Sequence, residues 1–324
     1  MKLARCMAAL VLAAATSFAF AQGWTPTRNV EIVAGSAPGG SNDRTARLLE
    51  KVLSQYKLTP TTITVVNKAG GGGSIAYTYA AQKTGDPHVL VVTSGNILSN
   101  RILGTSPLTL DDLTPIASMT QDYAVFAVNS ASSIKTGKEL VAQLKKDPRS
   151  LNVGFANAFG SSRHMALGLL IKAIGANPKE VKPVVFKGSA EAITALLGQH
   201  LEYVVIGAVN SLSHVASGRM RVLAVASPQR LSGPLSNVPT WREQGVDLVH
   251  GSWRGFFGAK GITPAQVAYW EATLKKVSET PEWKSDSEKN YWTDEYVAGA
   301  GLKKLLDQDY AESRAVLTEL GLAK

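Results

Sequence analysis

Seven residues, Ala37-Pro38-Gly39-Gly40-Ser41-Asn42-Asp43, follow an apolar run at Val30–Ala34 and lead into a helical pattern. Proline and two glycines allow a tight turn whose backbone comes close to a ligand. The free N–H groups and positive dipole end of the next helix favour an anion there. Ser41, Asn42 and Asp43 are equally suited to capping that helix. No Gly-Lys-Ser/Thr follows at the spacing of a phosphate-binding P-loop. Three more small, polar loops follow apolar runs: Gly70–Gly73 after Ile63–Val66, Ser94-Gly95-Asn96 after Val89–Thr93, and Asn157-Ala158-Phe159-Gly160-Ser161-Ser162 after Leu151–Phe155. The glycine run alone reads as a flexible turn. In open α/β sheets ligands bind at the carboxyl ends of strands, so four such loops together point to one cleft.

Catalytic signals are weaker. His164 follows Ser161 and Ser162, which suggests a nucleophile–base pair. Both serines stand where N-caps are expected, and no third orienting group can be placed. A secreted hydrolase using Ser161 or Ser162 with His164 is the alternative reading. There is no Gly-x-Ser-x-Gly elbow. His88, His164, His200, His214 and His250 are scattered without metal-ligand spacing, so neither metal nor cofactor is expected. Trp241, Trp253, Trp270, Trp283 and Trp292 read as core.

The positioning elements alternate. Val30–Ala34, Ile63–Val66, Val89–Thr93, Ala124–Val128, Leu151–Phe155, Pro183–Phe186, Tyr203–Ile206 and Val222–Ala226 are short, apolar and mostly without period-2 alternation, the pattern of strands buried on both faces. Helical patterns lie between them at Asp43–Tyr56, Gly137–Lys146, Arg163–Ile174, Ser189–Leu197 and Leu212–Ser217. Strand then helix, repeated, predicts parallel sheets covered by helices. Thr263-Pro264 with Gln266 forms a capping box that opens a helix through Glu279, with Val267, Trp270, Leu274 and Val277 on one stripe. Pro281 starts another helix, and Leu302–Leu320 a third. No repeat, low-complexity tract or long linker divides the chain.

The chain begins with Lys2 and Arg5, an apolar run from Met7 to Phe20, and Ala19-Phe20-Ala21, the three parts of a secretory signal in order. Cleavage after Ala21 would remove the only cysteine, Cys6, and lower the net charge from +9 to +7. Export without disulfides suits a bacterial periplasm. The 324 residues, 45% hydrophobic and 18% charged, describe a globular protein able to bury a sizeable core. Lys and Arg are dispersed and no nucleic-acid motif occurs, so the basic balance favours small anions or a solvated surface over nucleic acid.

Further motifs fall in a fixed order. The Ala-Pro-Gly-Gly-Ser-Asn-Asp loop is followed by Val-Val-Asn-Lys at 65–68, Val-Phe-Lys-Gly at 185–188 and Leu-Leu-Gly at 196–198. Gly-Arg-Met-Arg-Val-Leu-Ala-Val at 218–225, Val-Pro-Thr at 238–240, Trp-Arg-Gly at 253–255 and Tyr-Trp-Glu-Ala-Thr-Leu-Lys-Lys at 269–276 complete the series. Over essentially the whole mature chain this resembles the Bug family, the extracytoplasmic solute receptors of tripartite tricarboxylate transporters.

The resemblance implies an α/β, two-lobed periplasmic binding protein (type II-like) with mostly parallel sheets flanked by helices and two crossover strands. Residues 22–123 plus 227–324 would form one lobe and 124–226 the other, with the crossovers near Ala124–Val128 and Val222–Ala226. Two loops would clamp a ligand carboxylate: Pro38, Gly39, Gly40, Ser41, Asn42 and Asp43 on one side, Phe159, Gly160, Ser161, Ser162 and His164 on the other. Ser94 and Asn96 would assist, with Lys187 near the cleft. The implied ligand is a tricarboxylate, dicarboxylate or aromatic acid. The implied partners are the membrane components of a tripartite tricarboxylate transporter, or a signalling protein in the alternative case, and the receptor is expected to be a monomer. One departure stands out: many members carry Asp-Asn after the strand at Tyr203–Ile206, where this chain reads Ile206-Gly207-Ala208-Val209-Asn210. Losing that acceptor disfavours an amino-acid ligand and favours an anionic or partly aromatic acid.

Overall fold

A computed structural model describes residues 23–324. The expected signal segment and its cleavage after Ala21 lie outside the described residues.

Strand β1 (Val30–Ala34) leads through helix α1 (Ser41–Gln55) to β2 (Ile63–Asn67), then through α2 (Ser74–Ala81) to β3 (Val89–Ser94) and α3 (Asn96–Ile102). β1 pairs in parallel with both β2 and β3. Parallel neighbours require a crossover across the sheet face, and α1 supplies it by burying Ala46, Leu49, Val52 and Leu53 against Ile32 and Leu90.

Strand β4 (Leu113–Asn129) is 17 residues long and serves two sheets. After it come α4 (Gly137–Lys146), β5 (Val153–Ala156), α5 (Ser162–Ala173), β6 (Val184–Phe186), α6 (Ser189–Leu197), β7 (Tyr203–Gly207), α7 (Ala208–Ala216) and β8 (Met220–Val225). The chain then returns through β9 (Gly251–Ala259), α8 (Pro264–Glu279), α9 (Pro281–Lys289), β10 (Trp292–Ala298) and α10 (Gly299–Glu319). The first part of β4 pairs with β9 and β10, and β9 closes on β3. The last part of β4 pairs with β7 and β8, while β5 lies between β6 and β7.

The expected parallel pairing holds in β2-β1-β3 and β6-β5-β7. The ladders around β4 and β9 are antiparallel. Strand–helix alternation did not reveal them, because β9 reads Gly-Ser-Trp-Arg-Gly-Phe-Phe-Gly-Ala and the front of β4 carries Thr, Ser, Gln and Asp. Gly255 explains part of that composition. A Cβ there would lie 2.2 Å from the Ala117 carbonyl oxygen, so β9 packs on β4 only with glycine at this point.

Two segments cross between the sheets, and they lie side by side: β4 at Tyr123 and the entry to β9 at Gly251, which is its register partner. The expected return crossing at Val222–Ala226 instead belongs to β8, on the second sheet. Residues after it stay there. Trp241 meets Phe126 edge-on at 5.0 Å, and Val246 and Leu248 join the same core. The Trp241 N–H donates to the Val225 carbonyl at 3.1 Å, and the His250 N–H to Ala226 at 2.9 Å. Up to His250, then, the chain stays with the second sheet.

Helix α10 touches both halves. Leu302 and Leu306 pack with Phe257 and Trp253, whereas Val316 and Leu317 pack with Met165 of α5 and with Ile102. Trp241, Trp270 and Trp283 are fully buried, as the reading of these tryptophans as core residues predicts. Among the described residues no helix is long and apolar enough to cross a membrane.

Candidate functional site

A cleft of about 340 Å³ lies where the carboxyl ends of β1, β3 and β5 meet. Gly35–Ala37, Ser41, Asn42, Gly70, Gly72, Gly73, Ser94 and Asn96 line it from the first sheet, and Asn157, Ala158, Ser161, Ser162, Arg163 and Lys187 from the second. Ser252 and Arg254 of β9 complete it. All four of the loops singled out by sequence reach this space.

The helices that begin here share a property. The N-cap residues of α1, α2, α3 and α5 offer no side-chain hydrogen bond, although the Ser36 hydroxyl accepts from the Asp43 N–H in the first turn of α1 at 3.1 Å. The starts of α6, α7 and α10 are uncapped as well, whereas α4, α8 and α9 are capped by the hydroxyls of Thr136, Thr263 and Thr280. Uncapped first turns leave N–H groups and partial positive charge for an anion. Ser161 occupies the N-cap position of α5, but its hydroxyl donates to the Ala156 carbonyl at 3.3 Å. The glycine run is no flexible turn. The Asn100 side-chain amide donates to the Gly71 and Gly72 carbonyls at 3.1 and 3.3 Å and to the Ser74 hydroxyl at 3.0 Å. Gly73, with φ +96°, admits no side chain, since a Cβ would lie 2.7 Å from the Tyr77 ring.

Seven expected site residues line the cleft: Ser41, Asn42, Ser94, Asn96, Ser161, Ser162 and Lys187. Seven others do not: Pro38, Gly39, Gly40, Asp43, Phe159, Gly160 and His164. Pro38 and Gly39 are exposed on the outer side of their turn. The Gly40 N–H donates to the Ala37 carbonyl at 2.9 Å and is not free for a ligand. A Cβ on Gly40 would lie 2.6 Å from the Ser36 hydroxyl, so bulk there strikes the loop itself. Asp43 holds that loop together, accepting from the Gly39 N–H at 2.8 Å, the Asn67 amide at 2.9 Å and the Arg47 guanidinium at 3.0 Å. Burial opposes its charge, yet these donors hold its carboxyl below the usual range.

His164 is not a base for either serine. Its ring stacks on Phe155 at 4.8 Å and meets Phe159 edge-on at 5.2 Å. Its Nδ1 accepts from the Gly160 N–H at 3.0 Å, which fixes the turn that opens α5. Burial pushes it down to about 4, so it is neutral at pH 7. Phe159 is 49% exposed and caps this small stack from outside. The ring that reaches Ser162 is His250, with Nε2 3.2 Å from Oγ.

Sequence reasoning missed the charged floor of the cleft. Arg163, from the first turn of α5, brings Nη2 to 2.5 Å from Asp122 Oδ2, and Arg254 of β9 brings its own Nη2 to 2.9 Å from the same oxygen. All three side chains are buried. Burial would raise Asp122, but the charges of Arg163 and then Arg254 outweigh it and hold the carboxylate below its ordinary range. Burial lowers Arg163, but a guanidinium remains cationic at neutral pH. One carboxylate thus serves two guanidiniums, and the Nη1 atoms of both arginines have no hydrogen-bond partner. Gly207 makes room for the arrangement: a Cβ there would lie 3.0 Å from Arg163 Nη2 and 3.3 Å from Asp122 Oδ2. Arg254 sits in the Trp-Arg-Gly motif and Arg163 next to Ser162, so position, though not pairing, was visible in the sequence.

Two curled α/β halves joined by adjacent crossing segments, with helix starts from both halves facing one cationic cleft, define the class of two-lobed solute-binding receptors. The chain belongs to the TctC family, described as the tripartite tricarboxylate transporter family receptor, whose model matches residues 45–322. It is 30% identical to protein BugT of Bordetella pertussis over 245 residues, 74% of this chain and 73% of BugT. Among solved structures it is similar to a TctC solute-binding protein from Polaromonas, at 25% identity and TM-score 0.76, covering 91% of this chain and 99% of that one. The structure of R. palustris Rpa4515 with adipate superposes with TM-score 0.79 at 24% identity, covering 92% and 99%.

Proposed function

We propose that this receptor captures a small aliphatic di- or tricarboxylate in the periplasm, closes its lobes over it, and delivers it to the membrane components of a tripartite tricarboxylate transporter. One observation carries the ligand class: Arg163, Arg254 and Lys187 line the cleft, and no acidic side chain does. The buried carboxylate that the two arginines share, Asp122, offsets only one of them, so the floor stays positive. The rest of the lining is serine, asparagine, glycine and alanine, with no aromatic ring. That favours aliphatic acids over phthalate-like ones. The adipate held by the R. palustris protein is of the same class.

The lobes we assign are residues 22–123 with about 251–324, and 124 to about 250. Closure would turn about Tyr123 and Gly251 and bury the anion between the starts of α1 and α5. The mature chain, cleaved after Ala21, is assigned as an exported monomer without catalytic activity. Calorimetry of this mature chain against malate, succinate, adipate, citrate and phthalate tests the reading. A ligand at about 100 times its Kd adds about 2.7 kcal/mol to stability and raises Tm. Small-angle scattering with that ligand should show a smaller radius of gyration. No binding by any of the five acids would overturn the assignment.

A further inference from the structure

Ser162 belongs to two groups of residues at once. It lines the cleft, and its hydroxyl oxygen lies 3.2 Å from His250 Nε2. On the other side of the imidazole, Nδ1 lies 3.6 Å from Glu312 Oε1, on α10. A file of three side chains therefore runs from the cleft, through the crossing segment, to the helix that packs on both halves. We infer that His250 is a positioning residue that sets whether the Ser162 hydroxyl offers a proton or a lone pair to the ligand, so that carboxylate capture takes up one proton at His250. The inference rests on the carboxylate-receptor reading above.

The chemistry follows from donor and acceptor counting. At 3.6 Å the pair is an electrostatic contact rather than a hydrogen bond, and a carboxylate, which only accepts, favours the tautomer with the hydrogen on the nitrogen that faces it. His250 beside it holds the Glu312 carboxyl below its usual range, and it is ionised at neutral pH. In the neutral imidazole Nε2 is then bare and accepts the Ser162 O–H. The serine oxygen turns only lone pairs to the cleft, which suits a donor and repels a carboxylate. In the imidazolium, Nε2–H donates to Ser162 Oγ, and the hydroxyl hydrogen is released. Its alternative acceptor inside the protein, the Gly251 carbonyl, is distant at 3.5 Å. A ligand carboxylate is the stronger acceptor.

Charged groups sit on the elements that pack around this ring. Glu312 and Asp309 come from α10; Asp309 accepts from Trp253 Nε1 at 2.6 Å and from the Ser313 hydroxyl at 3.2 Å. Arg163 follows Ser162 on α5, Arg254 lies on β9, and Asp122 on β4 joins the two arginines. Histidine is the side chain whose charge ordinarily changes near neutral pH. A hydrogen bond to a charged group is worth about 1.5–3 kcal/mol. A carboxylate should accordingly bind about tenfold or more tightly to the imidazolium form than to the neutral form, at 1.4 kcal/mol per decade.

Two measurements test it. Imidazole ¹⁵N spectra of the mature protein, with the His250→Phe spectrum as assignment, report the tautomer without any ligand. The expected neutral form has Nδ1 protonated and Nε2 bare, and Ser162→Ala should shift the Nε2 resonance. The opposite tautomer, or an Nε2 signal indifferent to Ser162→Ala, would overturn the relay. Calorimetry with malate, adipate and citrate in phosphate and in Tris buffer then counts protons. Wild type should take up protons on binding, and Ser162→Ala and His250→Phe should bind with none. Equal uptake in Ser162→Ala would refute the inference even if binding is tight. Failure of all three acids to bind would sink the receptor reading instead, while the tautomer measurement still decides the relay.

Discussion

The Nη2 of Arg163 lies 2.5 Å from Asp122 Oδ2, tying the first turn of α5 to β4 one residue before the chain passes between the sheets. The pair fixes where α5 begins, and α5 carries Ser162 into the cleft. Because Arg254 shares the same oxygen, Asp122 holds the floor of the site from both sides.

Replacing Asp122 with Ala should leave two buried guanidiniums without a counter-ion. Breaking one partner of a buried ion pair costs about 3–5 kcal/mol, and urea denaturation would measure it. Asp122 is held below the ordinary carboxylate value in the folded state. Its contribution should thus be complete above about pH 4, the unfolded value, and be lost as pH falls through the lower folded one. A wild-type advantage that grows on acidification would contradict this ordering.

His164 sets a second pH dependence. Its folded value of about 4 lies below the 6.5 of an unperturbed imidazole. The unfolded chain binds a proton that the native state refuses, so stability is present above about pH 6.5 and is lost as pH falls toward 4. The full loss is roughly 3 kcal/mol, from 1.36 kcal/mol per pKa unit. His164→Phe should flatten the stability profile over that range while leaving carboxylate affinity near that of wild type. Retention of the slope in the variant would mean another group causes it.

Lys187 is exposed at the rim and lines the cleft. An exposed charge steers association more than it holds the complex. Lys187→Ala should slow carboxylate association and flatten its salt dependence, with an affinity loss below about tenfold. Stopped-flow binding at two ionic strengths separates these; an unchanged salt slope would remove Lys187 from the site.

Gly255→Ala probes the seam between β9 and β4. The added Cβ would meet the Ala117 carbonyl oxygen at 2.2 Å, a backbone atom that cannot swing away. Overpacking of this kind costs about 1–3 kcal/mol or more. Calorimetric Tm should fall, whereas Gly85→Ala, whose Cβ meets nothing within 4 Å, should cost only the strain of its positive φ. Equal losses would show that space is not the issue at Gly255.

The legible part of the molecule was what short-range pattern encodes. Apolar runs marked β1, β3 and β7, and the helix limits of α4, α6 and α8 match their Thr, Gly and Pro punctuation. The loops carrying Ser41, Asn42, Ser161 and Ser162 were legible because small polar residues at strand ends have a mechanism. Asp43 and His164 stand outside the cleft lining for a shared reason: each bonds back into its own turn, and spacing along the chain does not say which way a side chain faces. Asp122 and its two arginines were illegible because the partners lie 41 and 132 residues apart. A charge inside an apolar strand reveals its meaning only when something opposite completes it.

The pairing of β3 with β9 joins Thr93 to Gly255 across 162 residues. On the ribosome, the strand Val89–Ser94 therefore waits for its inner neighbour until most of the chain has been made. At about 5–20 residues per second, that wait is roughly ten to thirty seconds. Until then the first hundred residues have an open sheet edge and an incomplete core. Contacts so distant in sequence also slow the final closure. The topology thus acts as a timer: the amino-terminal sheet cannot be completed until residue 255 has been made.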